Sequence, residues 1–200
     1  MRQGQPRRPS RRAVLGAGAM LAAGRGSAPT MHSDNVDLTY RDRRLSWPGG
    51  ATRGACGWGG VRRDKREGDG ASPAGTFALV RAFYRPDRIA PPPETGLPLA
   101  PLRPDDGWVD DPADPLYNRL VRLPYPAHHE TMWRPDHLYD LVVVIGYNMT
   151  PVVPGRGSAI FLHCASADFA PTEGCIAIAR DVLLALLPLL GPASRITIRR

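Results

Sequence analysis

The chain has 200 residues, with 26 basic and 19 acidic side chains and a formal charge of +7. That length builds one domain with a sizeable core. Six of the bases are arginines at positions 2, 7, 8, 11, 12 and 25, in a stretch without an acid, so the rest of the chain carries 20 bases against 19 acids. A domain so nearly balanced loses the main argument for a nucleic-acid partner, which calls for a basic face.

The first residues read as a leader. In "PSRRAVLGAGAMLAAGRGSA" basic residues precede a small and apolar stretch, and Gly26-Ser27-Ala28 offers a small-x-small cleavage site. The stretch falls short of the roughly 20 apolar residues a membrane-spanning helix needs. Residues 1–28 are therefore predicted to be a signal peptide, with Ser10-Arg11-Arg12 giving it twin-arginine character, and residues 29–200 an exported domain of the periplasm or cell envelope with no transmembrane anchor after cleavage.

The exported part reads as β-rich. "VDLTYRDRRLSW" (36–47) predicts a hairpin turning at 41–43, "GTFALVRAFY" (75–84) an alternating strand, and "LYDLVVVIGYN" (138–148) a buried strand. Residues 86–136 are dense in Pro, Asp and Gly and predict a long loop serving as a lid or substrate wall. "SAIFLHCA" (158–165) and "RITIR" (195–199) are two further strands. One helix is expected, with Asp181 as its N-cap and Pro188 and Gly191 ending it.

Chemistry centres on "APTEGCIAI" (170–178). Cysteine is common in cores, so Cys175 is by default one more small buried hydrophobe. Twelve residues earlier lies His163, and an imidazole within reach of a thiol supplies the base that makes it nucleophilic. Gly174 allows a sharp turn that would aim the Gly174 and Cys175 amides at the oxygen of a tetrahedral intermediate.

These residues carry a resemblance. "SAIFLH" followed by "PTEGCIAI" resembles the catalytic motif of the L,D-transpeptidases, the YkuD-type enzymes of bacterial cell walls. Upstream, "DKREGDGASPAGTF" (64–77) is similar to a second family segment, with Ser72 where threonine is usual. The likeness spans residues 36 to 198 and points to the compact subgroup. It departs from the family where Ala177 replaces a frequent Arg or Asn and Cys164 a frequent Gly.

The resemblance implies a mainly β fold, a sandwich or partly closed barrel, with one short helix after the catalytic cysteine. It also implies roles: Cys175 as nucleophile, His163 as general base and acid, the Gly174 and Cys175 amides as oxyanion donors, and Thr172 shaping the turn or touching substrate. The substrate would be the peptidoglycan stem tetrapeptide, cleaved with release of D-alanine and acyl transfer to an amine. Water as acceptor would make a carboxypeptidase. A sortase-like transpeptidase and a non-catalytic wall-binding module are the rivals. Tyr147 and Arg134 are expected to contact substrate, although half of a structural Arg–Asp pair is the favoured reading of Arg134.

Neither a cofactor nor a metal is expected, because His128, His129 and His137 lack zinc-type spacing. Cys56 and Cys164 either form a disulfide or stay as buried thiols. His163 could be oriented by a backbone carbonyl, by Asp168 or by Glu173. "KREGDG" (65–70) reads most cheaply as a solvated turn.

Overall fold

The computed structural model describes residues 35–200; the signal-peptide reading lies outside them. The elements run in the order β1 (Leu38–Arg41), β2 (Arg44–Trp47), β3 (Gly50–Ala55), β4 (Val61–Arg62), β5 (Ser72–Pro73), β6 (Gly75–Tyr84), β7 (Leu99–Pro101), β8 (Asp106–Val109), β9 (Leu120–Arg122), β10 (His129–Thr131), β11 (Leu141–Ile145), β12 (Phe161–Cys164), β13 (Ile176–Ile178), α1 (Arg180–Leu186) and β14 (Arg195–Ile198). The sheet β11-β12-β13-β3-β2-β1-β14-β6 closes on itself through a β11–β6 pairing, and β7 is attached to β6 outside the ring. The expected mainly β, partly closed architecture with one short helix is what forms.

Alternation of side chains along each strand explains the closure. Leu38 and Tyr40 of β1, Leu45 of β2, Leu162 and Cys164 of β12, Ile176 and Ile178 of β13 and Ile196 and Ile198 of β14 all fall in one buried cluster inside the ring. Each such Leu or Ile, taken fully from water, contributes roughly 2 kcal/mol. In β6 the period is broken once: Leu79 faces Ile145 but Arg81 faces Val144, so Val80 is an extra residue. That bulge lets Leu79 and Ala82, three apart, both face inward.

The first hairpin turns where expected. Asp42 and Arg43 both take positive φ, +50° and +58°, and Arg41 pairs with Arg44, the geometry of a tight two-residue hairpin. The helix differs at its start. Ala179, not Asp181, is the N-cap and makes no side-chain capping bond. Arg180 begins the helix because Nε donates to buried Asp140 at 2.9 Å, and Asp181 sits in the first turn, where its charge meets the positive end of the helix. Asp140 also accepts from Arg88 Nη1 at 2.8 Å, tying the helix to the segment after β6.

Residues 86–136 are not a structureless loop. They hold β7 and a separate three-stranded sheet in the order β10-β8-β9. The excursion is ordered because it has a core of its own. Leu102, Trp108 and Met132 pack onto Phe83, Val142, Val144 and Phe161, the outward-facing residues of β6, β11 and β12. The barrel is thus apolar on both faces there, and the second face, under the excursion, is where Cys175 lies.

Candidate active site

Parallel pairing of β12 with β13 sets Leu162 opposite Ile176, His163 opposite Ala177 and Cys164 opposite Ile178. Phe161 and His163 therefore face outward while Leu162 and Cys164 face the barrel interior. Cys175, one residue before β13, joins the outward cluster. Strand alternation and a parallel return thus put thiol and imidazole on one face, although residues 164 to 174 separate them in sequence.

The turn before Cys175 is closed by hydroxyls. Thr172 Oγ1 donates to the Cys175 carbonyl at 2.7 Å and accepts the Gly174 N–H at 3.2 Å. Fully buried Ser72 donates to the same carbonyl at 3.3 Å and accepts the Gly57 N–H at 3.0 Å. Gly174 has φ +139°, and a Cβ there would stand 2.9 Å from the Ala71 carbonyl oxygen, so no other residue fits without strain. The Gly174 amide is engaged by Thr172; what Gly174 brings to the site in this arrangement is its backbone conformation.

The sulfur is held by two backbone groups. Phe161 N–H donates to Sγ at 3.3 Å, and the thiol donates to the Ala159 carbonyl at 3.2 Å. Ala159 takes φ +52°, a left-handed conformation that costs a non-glycine residue about 1 kcal/mol. Its N–H is fixed by Asn118 Oδ1 at 3.1 Å, which also accepts Trp108 Nε1–H at 2.9 Å. Among the described residues no hydrogen bond joins Cys175 to His163.

His163 is oriented by its own neighbour. Nδ1 lies 2.8 Å from the Cys164 carbonyl, which can only accept, so Nδ1 carries the proton and Nε2 keeps a lone pair. Tyr139 packs edge-on to the imidazole with centroids 5.2 Å apart. Asp168 and Glu173 take other partners: Asp168 accepts from Ser166 Oγ at 2.7 Å and Glu173 from Trp58 Nε1 at 2.8 Å.

Burial decides the charge of the pair. His163 is 4% exposed and Cys175 7%. Loss of water lowers the imidazole from 6.5 to about 4, although its bond to the Cys164 carbonyl pulls the other way. Loss of water, reinforced by the charge of Glu130, pushes the thiol far above its ordinary range. At neutral pH the site therefore rests as thiol and neutral imidazole, not as an ion pair.

Both groups line a cleft of about 310 Å³ whose wall includes Glu67, Glu130, Arg134, Ser158, Thr172 and Glu173. The excursion supplies Glu130 and Arg134, so part of residues 86–136 lines this cleft. Arg134 makes the Arg–Asp pair, with Nε at 3.0 Å and Nη2 at 2.6 Å from Asp136, and lies 5.3 Å from the Tyr139 ring centre while still facing the cleft. Tyr147 is not brought to this cleft. Its ring packs edge-on against Phe77 at 5.5 Å and its hydroxyl donates to the Arg156 carbonyl at 2.5 Å.

One further sequence reading is corrected, and the alternative left open for Cys56 and Cys164 is resolved. The 65–70 segment is an internal latch, not a solvated turn: Lys65 is 3% exposed, its Nζ lies 2.9 Å from Asp69 Oδ1, and Glu67 accepts from Ser158 Oγ at 2.7 Å and from Tyr117. Cys56 and Cys164 are free thiols, with Cys164 inside the barrel and burial pushing it up to about 12. His128, His129 and His137 are each bonded locally, to Asp110, the Ala127 carbonyl and Asp140.

Glu130 and Tyr139 are the cleft residues that sequence reasoning missed. The Tyr139 hydroxyl donates to Glu130, whose carboxyl enclosure pushes up to about 7. Glu130 sits in no motif, Tyr139 lies in the 138–148 segment that reads simply as a buried strand, and the folded excursion unites them.

An eight-stranded barrel carrying a thiol and an imidazole on one outward face, under a folded excursion, defines a cysteine–histidine cleft protein. The sequence profile of the YkuD domain, the L,D-transpeptidase catalytic domain, matches residues 34–198, and the chain belongs to that family. Among solved structures it is similar to an L,D-transpeptidase from Mycobacterium smegmatis (12% identity, TM-score 0.42, covering 83% of this chain and 59% of that one). It is also similar to L,D-transpeptidase 1 of Mycobacterium tuberculosis (10% identity, TM-score 0.39, covering 84% of this chain and 60% of that one). The chain thus spans about three fifths of the length of these two proteins. No curated protein matched the sequence.

Proposed function

We propose that the chain is an exported peptidoglycan L,D-transpeptidase with Cys175 as its nucleophile and His163 as its base. The observation that carries this reading is the common outward face of β12 and β13, which sets both side chains in one cleft with the Nε2 lone pair of His163 left as acceptor.

The substrate is the stem tetrapeptide, entering with the carbonyl before its terminal D-alanine over Cys175. Because the resting thiol is neutral, its proton moves to His163 Nε2 as sulfur attacks, and Sγ exchanges its bond to the Ala159 carbonyl for one to the imidazole. The S–C bond forms, the carbonyl pair moves onto oxygen, and the Cys175 N–H receives that oxyanion. Collapse breaks the C–N bond, His163 returns the proton to the departing amine, and D-alanine leaves. An amine acceptor then attacks the thioester carbonyl and gives up its proton to His163; the new C–N bond forms, the S–C bond breaks, and His163 returns that proton to Sγ, restoring the thiol.

Gly174 supplies the backbone turn that aims the Cys175 amide, and Thr172 and Ser72 hold the carbonyl on the other side of the same residue. Arg134, already neutralised by Asp136, acts as a wall whose free guanidinium edge meets a stem-peptide carboxylate. Action on peptidoglycan puts the enzyme in the cell envelope, reached through the leader of residues 1–28. Among the described residues no helix is long and apolar enough to cross a membrane.

Exposure to a carbapenem, an acylating analogue, followed by intact mass measurement tests the nucleophile. One adduct on the wild type and none on Cys175→Ala is expected. Equal labelling of the variant would remove the assignment.

A further inference from the structure

Sheet register aligns four arginines that lie far apart in sequence. Arg41 of β1 pairs directly with Arg44 of β2, and Arg44 with Arg53 of β3. On the other side β1 runs parallel to β14 with Tyr40 opposite Ile198, so Arg199 continues the line beside Arg41; its N–H donates to the Tyr40 carbonyl at 2.9 Å. All four side chains are exposed, and their strand neighbours Tyr40, Leu45 and Ile198 face the barrel core. With adjacent strands roughly 4.8 Å apart, the row Arg199, Arg41, Arg44, Arg53 extends for about 14 Å across the outer wall.

This row is costly alone. Like charges directly opposite each other in a sheet destabilise it, and here two such pairs stand side by side. Asp42, itself highly exposed, lies 3.2 Å from Arg41 Nε; among the described residues Arg44, Arg53 and Arg199 make no ion pair. The near-balance of charge over residues 29–200, 20 bases against 19 acids, therefore hides a strongly basic line. The outward positions one step along the strands are Thr197, Thr39, Ser46 and Ala51, with Thr76 hydrogen-bonded to Thr197 at 2.9 Å. Those outward positions carry no aromatic ring to stack a base and nothing larger than the Ala51 methyl to enter a bilayer, and Phe169, beside the row, is capped by the Arg53 guanidinium.

We infer that this row is a docking surface for a linear polyol-phosphate polymer, a chain of phosphodiesters without bases. Guanidinium forks suit phosphate oxygens, and a line of charge fits a linear polyanion better than a single ion. The row ends at the cleft. Arg53 Nη2 donates to the Asp168 carbonyl at 3.2 Å and its guanidinium lies 4.5 Å from the Phe169 ring centre. Residues 165–171 are the loop from which Ser166, Ala170 and Pro171 line the cleft wall. A polymer on the row would hold the enzyme against its matrix while leaving the cleft open, and this does not rest on the chemistry of Cys175.

The test is binding of synthetic poly(glycerol phosphate) to the protein by fluorescence anisotropy, with inorganic phosphate at equal total phosphate, single-stranded DNA of equal charge and phosphatidylglycerol vesicles as separate arms. The polymer is expected to bind, with four neutralised charges giving a roughly fifty-fold loss of affinity between 50 mM and 200 mM salt. The double variant Arg41→Ser/Arg44→Ser should lose about tenfold or more and halve the salt slope, whereas Arg103→Ser and Cys175→Ala should bind as the wild type does. The double variant should melt no lower than the wild type, since a repulsion has been removed. Equal binding by the double variant, competition by inorganic phosphate alone, tighter binding of DNA, or binding only to vesicles would each overturn the proposal.

Discussion

The thiol of Cys175 donates to the carbonyl of Ala159 at 3.2 Å, and that bond, rather than one to His163, defines the resting site. Ala159 is held in a left-handed conformation by Asn118 from the excursion. A thiol parked in this way is not a thiolate waiting for substrate. Activation has to accompany attack.

One consequence is an unusual reactivity profile. Because burial raises the thiol and lowers the imidazole, alkylation of Cys175 by iodoacetamide is expected to be slow at pH 7 and to climb with pH through 8 and 9. A preformed ion pair would instead give a plateau at acid pH that His163→Ala abolishes. Rates read from intact mass across pH separate the two.

The same shift has a stability signature. His163 takes up a proton at about 6.5 unfolded but at about 4 folded, so the folded state binds fewer protons in that window. Its contribution is fully present above pH 6.5 and is lost as pH falls to 4, in total about 3 kcal/mol. Urea denaturation at pH 7 and pH 4 should show a loss larger by about that amount in the wild type than in His163→Gln, which cannot titrate. The acid limb of the activity profile should likewise lie near pH 4.

Gly174→Ala is expected to cost about 2 kcal/mol or more, through a positive φ of 139° and a Cβ placed 2.9 Å from the Ala71 carbonyl oxygen. Acylation should fall by at least a hundredfold, because the Cys175 amide and sulfur both hang on this turn. Thermal melting and carbapenem labelling check the two effects separately.

Loss of the Thr172 hydroxyl should act more gently. Thr172→Val removes the 2.7 Å bond to the Cys175 carbonyl and the acceptor of the Gly174 N–H, worth about 1 kcal/mol each. A drop of tens of fold in kcat with little change in KM is expected, and Thr172→Ser should restore most of it. A change confined to KM would mean that Thr172 contacts substrate instead.

What could be read from the sequence was what repeats at short range. Alternation gave β6 with its true bounds, and the hairpin at 41–44 followed from polar residues between two apolar runs. The short strand β13 went unseen because three residues after a glycine turn carry no period. The excursion reads as a loop because its strands β8, β9 and β10 are three or four residues long and lie among prolines. What orders them is the outer barrel face, contributed by distant β6, β11 and β12. In the same way Lys65 looks solvated among Arg66, Glu67 and Asp69 until folding closes Asp69 on it. Cys175, His163 and Thr172 stood out through motif and spacing. Tyr147 did not reach the cleft because Phe77 holds its ring elsewhere, and no local pattern records that contact.

The most direct measurement is brief exposure of the protein to a purified stem tetrapeptide, with intact and peptide-level mass analysis and assay of free D-alanine. A tripeptide acyl group on Cys175 and one D-alanine released per adduct are expected, with neither product from Cys175→Ala. An acyl group on another residue, or D-alanine released by Cys175→Ala as fast as by the wild type, would contradict it.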